Sequence, residues 1–269
     1  MPGLFDHIFF VLIAAGLPVT SFVNMRFRLG RMPLAHLPAA RMRAYLGVIV
    51  TQWVLVLALA TSWWVRHRDL AELGLAVGTG WRPAAAWIAV IAASVLLATQ
   101  GRSLIAAPEY YDRVRRRLLG IWRLLPSSRE QWRLFIAVSV TAGVCEEILF
   151  RGFAIRYLST WVPVPVAAGL ASVAFGLGHT YQGPRGILVT AILGGLLAAI
   201  YLLGRTLWPS MLLHAAIDAN AGWIAWRLAE RLGPHWVVEP ALPVEPGQNR
   251  PTTMEAAGPP EPTAEPRME

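Results

Sequence analysis

A chain of 269 residues that is 55% hydrophobic and only 15% charged has too little polar surface for an ordinary soluble domain, and several uncharged apolar runs approach the ~20 residues needed to span hydrocarbon. Its net charge of +8 comes from arginine alone, since the sequence holds no lysine. Arginines beside membrane spans mark cytoplasmic loops and anionic-lipid contact, so the charge does not read as nucleic-acid binding. The single cysteine, Cys145, excludes an intrachain disulfide framework and a thiolate metal cluster.

The class these totals define is all-α, a polytopic transmembrane helix bundle of about seven to eight spans. The first span is expected over residues 4–23, with Asp6 and His7 at its outer end and Pro18 placed to kink it. It lacks a basic leading segment and a small-residue cleavage site, so it is expected to be retained as a helix rather than removed as a signal peptide. Residues 25–43 follow as a loop with five arginines and no acid. The second span covers 45–65 and closes on Trp63 and Trp64, which suit the headgroup level. In the mixed-charge loop 66–83, Leu73-Gly74-Leu75-Ala76 is a candidate short interfacial helix, and the third span covers 84–100.

Residues 102–133 hold eight arginines with leucines and Trp122 between them, which reads as an amphipathic cytoplasmic helix on anionic lipid. Further spans are expected over 134–157, 162–179, 186–203 and 207–228. Gly194, Gly195, Ala198 and Ala199 give the sixth the small residues that let membrane helices approach closely. Pro, Glu and Thr then dominate a tail that cannot offset its ordering entropy and is expected to be disordered. The division that results is 1–105 for the N-terminal helices, 106–133 for the basic segment, 134–230 for a functional core and 231–269 for the tail. Arginine counts of five and eight in the first and third loops against three in the second put the N-terminus outside and the tail in the cytoplasm.

Charge inside a span is costly and marks function by default. Glu146 and Glu147 sit in the fourth span with Arg151 behind them, His179 ends the fifth, and His214 and Asp218 lie in the last. At ~1.5 Å per residue their depths overlap within a few residues, so the three helices can bring them to one level. Adjacent helical residues diverge by about 100°, so the two glutamates cannot aim at one atom. Glu147 and Arg151 are at i, i+4 with the acid first, the favourable order for an ion pair. That leaves Glu146 as the free carboxylate, suited to general acid–base work. Three readings stay open on the residues alone: an enzymatic or metal site, a proton or ion relay, and a structural polar core. No internal repeat supports a transporter, no His-Glu-x-x-His appears, and Ser172 and Cys145 read as packing residues.

Glu146-Glu147-x-x-x-Arg151, Phe175-x-x-x-His179 and His214-x-x-x-Asp218, in this order on separate spans, resemble the motifs of the CAAX-prenyl-protease and bacteriocin-processing (CPBP, Abi) family of intramembrane proteases. The resemblance covers about 134–228. It implies an endopeptidase in which Glu146 activates water, His179 helps to hold that water, and His214 with the residue at 218 stabilises the oxyanion. Glu147 and Arg151 complete the site. Family members with Asn at the last position can donate a hydrogen bond there, and an ionised Asp218 cannot. Asp218 is therefore protonated, or orients His214, or helps to bind a metal; Asn220 sits about 200° round the helix and does not replace it. Glu146, His179 and His214 would form a two-His, one-carboxylate set suited to zinc, and the family has been treated both as metalloproteases and as glutamate-dependent water activators. The expected partners are a peptide or membrane-protein substrate and the lipid bilayer, with no nucleic acid. The expected place, given the Arg-, Ala-, Gly- and Pro-rich composition of a GC-rich genome, is a bacterial inner membrane. The competing functions are a proton- or ion-coupled transporter and a catalytically silent scaffold or immunity protein.

Overall fold

Pro18 has no N–H to donate, and its ring crowds the carbonyl one turn earlier. In the computed structural model, which describes residues 2–237, the first helix meets that conflict with a π-helical stretch, Leu12–Gly16, immediately before Leu17 and Pro18. A widened turn frees the crowded carbonyl without ending the helix. Helix α1 therefore runs over Leu4–Arg31, through part of the expected loop 25–43.

Helix α2, Leu37–Val65, begins with Pro38 in its first turn, where the missing N–H costs nothing. Helix α3 is Trp81–Ala106 and α4 is the short Tyr111–Leu118. Helix α5 starts at Arg129, capped by the Ser128 hydroxyl, which accepts from the Gln131 N–H at 3.2 Å. It runs as an α-helix to Glu146, turns π-helical over Glu147–Ala154, and ends with Ile155–Leu158. Pro163 and Pro165 set the start of α6, Val164–Leu177, whose 14 residues span only ~21 Å and stop inside the bundle. Helices α7, Gly183–Gly204, and α8, Trp208–Leu232, complete the chain. Every regular element among the described residues is helical, and the protein is a helical membrane bundle.

Four of these helical stretches, Leu4–Arg31, Leu34–Val65, Trp81–Ala106 and Thr180–Gly204, are long and apolar enough to cross a bilayer. The other long helices, α5 and α8, are diluted by the polar residues they carry. Large apolar side chains such as Leu57, Ile88, Leu188 and Ile192 face outward, as a lipid-facing surface requires. Phe9, Trp63, Leu149, Phe153, Phe175 and Leu207 pack the centre.

Two connections differ from expectation. Leu73-Gly74-Leu75-Ala76 does not form a helix; a 3-10 turn, Leu70–Leu73, precedes it. Gly74 turns at φ +77, where a Cβ would lie 2.6 Å from Tyr201 Cε2. The segment then lies across the α7–α8 junction, accepting the Leu207 N–H on the Gly74 carbonyl at 2.9 Å and the Thr206 hydroxyl on the Ala76 carbonyl at 2.8 Å. Residues 102–133 are likewise not one amphipathic helix. Arg41 is buried and donates to the Arg123 carbonyl at 3.0 Å and to Gln131 Oε1 at 2.7 Å. Arg123 in turn donates to the Met32 carbonyl at 2.8 Å. These two arginines clamp the connection before α5 onto α1 and α2 instead of pointing at lipid. Backbone carbonyls of an irregular segment need donors, and guanidinium forks supply several each. Beyond α8, Trp236 and Val237 are buried against Ile105, Val114 and Leu228, so packed structure outlasts the expected tail boundary at 231. The remainder of the expected disordered tail lies outside the described residues.

Candidate active site

The glutamate pair sits where α5 changes from α- to π-helical, a local widening that recurs at functional sites. Gly143, one turn earlier, sets how closely α5 and α8 approach. A Cβ there would lie 2.7 Å from the Met211 carbonyl and 2.9 Å from Ala215 Cβ. Met211 and Ala215 flank His214, so this contact is what brings the histidine within reach of the acids.

Glu147 is fully buried, and its Oε1 accepts from Arg151 Nη1 at 2.7 Å, the i, i+4 pair expected from sequence. Arg151 is 1% exposed and uses the rest of its fork across the bundle. Nη2 donates to the Gly194 carbonyl at 3.0 Å, and the guanidinium carbon stands 4.3 Å over the Phe175 ring. Gly194 was expected to matter for packing; it also presents the carbonyl that completes the arginine's coordination. The pair is therefore held at three points, which a buried ion pair needs if it is to be retained.

Glu147 has a second partner. His214, 6% exposed, donates from Nδ1 to the same Oε1 at 2.9 Å. The pairing of Glu147 with Arg151 was expected; its hydrogen bond to His214 was not. The imidazole has nitrogens on two edges, so one ring can lie between two glutamates that diverge from each other. Its other nitrogen, Nε2, is 3.7 Å from Glu146 Oε2 and 3.9 Å from Asp218 Oδ2. Both separations exceed a direct hydrogen bond and suit a bridging water or substrate atom.

Glu146 is not free of partners either. Its Oε1 accepts from Gln52 Nε2 on α2 at 2.5 Å, while Oε2 is buried and makes no hydrogen bond within the protein. Gln52 lies outside the residues singled out from sequence. It is the single amide in the expected span 45–65, which is the signal that could have drawn attention to it. His179 lies just past the end of α6, where Nδ1 donates to the Phe175 carbonyl at 2.9 Å. The Phe175 ring packs against both histidines, 4.9 Å from His179 and 5.7 Å from His214 between ring centres. Asp218 lies within electrostatic reach of His214, Glu146 and His179.

The residues named for zinc can be tested against this geometry. Each histidine donates Nδ1–H to an acceptor, the usual support for a metal-ligating Nε2. The donors themselves do not gather: among the described residues no group of three or more His, Cys, Asp or Glu is placed to hold an ion. Glu146, His179 and His214 are not among any such group, and Gln52 holds one oxygen of Glu146.

A helical membrane protein with carboxylates and imidazoles set between α5, α6 and α8, Glu147 and His214 among them buried, is the class that the fold and site define. Residues 128–220 match the sequence model of the type II CAAX prenyl endopeptidase Rce1-like family. That segment runs from the cap of α5 to two residues beyond Asp218, so it takes in all six site residues, and the resemblance read from the three motifs is shown over it. Helices α1 to α3 lie outside the match. No curated protein and no solved structure matches the chain.

Proposed function

We propose that the protein is an intramembrane endopeptidase that hydrolyses a peptide bond with water activated by Glu146. The observation that carries this reading is Glu146 Oε2, a buried acceptor with no hydrogen-bond partner in the protein, facing His214 Nε2 across 3.7 Å inside the segment that matches a CAAX endopeptidase family. A water donating to Oε2 sits beside the imidazole edge. Glu146 takes its proton as the oxygen attacks the scissile carbonyl carbon. His214, protonated on both ring nitrogens with Nδ1–H committed to Glu147, donates a hydrogen bond from Nε2–H to the developing oxyanion. When the tetrahedral intermediate collapses the C–N bond breaks, and Glu146 returns the proton to the leaving nitrogen. The products are a new carboxylate and a new amine.

The remaining residues act around that core. Glu147, Arg151 and the Gly194 carbonyl hold His214 at a fixed angle, and the ionised Glu147 keeps it as the imidazolium, with a proton on each ring nitrogen. Asp218 orients the Nε2 edge as an acceptor. His179, anchored through Nδ1, offers Nε2 to the water or to a substrate N–H. The protein works in a bacterial inner membrane with the C-terminal tail in the cytoplasm, a placement that rests on composition and on the arginine-rich loops. Its substrate is a peptide or membrane-protein segment that enters from the bilayer.

Hydrolysis in ¹⁸O-labelled water tests the chemistry. The purified protein in lipid bilayers is given a panel of peptides, with and without a prenylated cysteine, and the products are weighed. One ¹⁸O in the new carboxylate of at least one product is the expected result. A folded protein that cleaves none of the panel contradicts the reading, and the preference between prenylated and unprenylated peptides defines the substrate class.

A further inference from the structure

Gln52 lies on α2, far outside the matched segment 128–220, yet it donates a hydrogen bond to the glutamate read as the base. Its side chain is buried at 9% exposure, and Nε2 meets Glu146 Oε1 at 2.5 Å. A carboxylate can only accept, so the NH₂ end of the amide must be the end that faces Glu146. The other end, Gln52 Oε1, is buried and has no hydrogen-bond partner in the protein.

That asymmetry separates two roles for a glutamine in a membrane helix. An amide kept for adhesion between helices would satisfy both its ends, because an unpartnered polar atom in a low-dielectric interior is costly. Gln52 uses only its donor, and uses it on one oxygen of one carboxylate. The register of α2 on α5 is set independently by Arg41 with Gln131 at 2.7 Å and by the Tyr45 and Phe135 rings at 5.4 Å. Positions 41, 45 and 52 share one face of α2. The helices do not need Gln52 to find each other.

We propose that Gln52 is a positioning residue for Glu146. By occupying Oε1 it fixes the carboxylate in one rotamer and leaves Oε2 as the oxygen that meets water at the His214 edge. This rests on the reading of Glu146 as the base. It makes α2 part of the active site rather than a helix packed beside it.

The test uses the full chain in detergent, with Gln52→Met, which keeps length and removes the donor, and Gln52→Glu, which keeps shape and replaces the donor with an acceptor. One readout needs no substrate: the infrared carboxylate band of Glu146, isolated by subtracting the spectrum of Glu146→Gln. The other is steady-state cleavage of the peptide that the wild type processes. Gln52→Met is expected to shift the Glu146 band and to lower kcat by about 10- to 100-fold with KM changed less than about twofold. Gln52→Glu is expected to lose at least as much. An adhesive role predicts an activity loss that tracks loss of folded protein, with kcat per folded molecule kept even where the band shifts, and that result overturns the proposal. Unchanged kcat in a folded variant overturns it as well. A wild type that cleaves nothing while the band still shifts removes the peptidase reading and upholds the hold of Gln52 on Glu146. If Gln52→Met does not fold, Gln52→Glu decides by the same two readouts.

Discussion

Glu147 and His214, on adjoining helices α5 and α8, share a 2.9 Å hydrogen bond at the same carboxylate oxygen that accepts Arg151 at 2.7 Å. One fully buried acid thus neutralises an arginine and aims a histidine. The imidazole turns its second nitrogen toward Glu146 at 3.7 Å, and the paired glutamates differ in their partners: Glu147 holds Arg151 and His214, while Glu146 Oε2 makes no hydrogen bond within the protein.

Glu147→Gln follows directly from this arrangement. It keeps the shape and removes the charge, leaving Arg151 buried at 1% exposure without a counter-ion. Breaking a buried ion pair from one side costs about 3–5 kcal/mol. Unfolding measured in detergent should show a loss of that size together with loss of cleavage, and wild-type stability in the variant would contradict the assignment.

The approach of α5 to α8 predicts a contrast between two glycines. Gly143→Ala puts a methyl 2.7 Å from the Met211 carbonyl, so the helices must move apart and His214 with them. Overpacking of this kind costs about 1–3 kcal/mol, and a misplaced catalytic group can lose ~100-fold in rate. Gly195→Ala meets nothing within 4 Å and should leave both stability and rate near wild type. The check is cleavage rate and melting temperature of the two variants side by side.

Asp218 is 3.9 Å from His214 Nε2, and its side chain is 38% exposed. An asparagine has the same reach and can also donate to an oxyanion. Asp218→Asn should therefore keep cleavage within about threefold of wild type, while Asp218→Ala, which frees the imidazole edge, should lose about tenfold or more, both within the range of a single oriented hydrogen bond. Equal losses in the two variants would mean that the negative charge itself is required.

Asp6 supplies a control away from the chemistry. It is 2% exposed and accepts from Arg66 at 3.0 Å, from both Arg68 Nη atoms at 3.0 and 2.9 Å, and from the Gly3 N–H at 2.7 Å. The arginines are 33% and 21% exposed, so solvent compensates part of the loss on Asp6→Asn. A destabilisation of about 1–3 kcal/mol with unchanged kcat is expected. A fall in kcat for the folded variant would show that this end of the bundle reaches the site.

How far the sequence led depended on whether a contact was local. Glu147 with Arg151 and His214 with Asp218 are i, i+4 pairs, and helical geometry alone brings them together. Pro163 and Pro165 likewise mark the start of α6. The link from Gln52 to Glu146 joins residues 94 apart and depends on the register of α2 against α5, which no local rule supplies. The Gly194 carbonyl that receives Arg151 was hidden for a different reason: a backbone acceptor carries no side-chain identity to read. The reach of α1 past residue 23 was missed because Arg26, Arg28 and Arg31 end the apolar run and read as a loop, whereas the helix carries them on past the apolar segment. The share of His214 between the two glutamates was missed because a helical wheel places whole side chains and not the two edges of a ring.

The most direct test of the central claim compares wild type with Glu146→Gln, purified in parallel and assayed on the same peptide. The substitution keeps the shape of the side chain and the contact partner Gln52 while removing the base. A general base contributes about 10²- to 10⁴-fold, so the account predicts a loss of that order in kcat with fold and melting behaviour retained. Equal cleavage by the two proteins would contradict it.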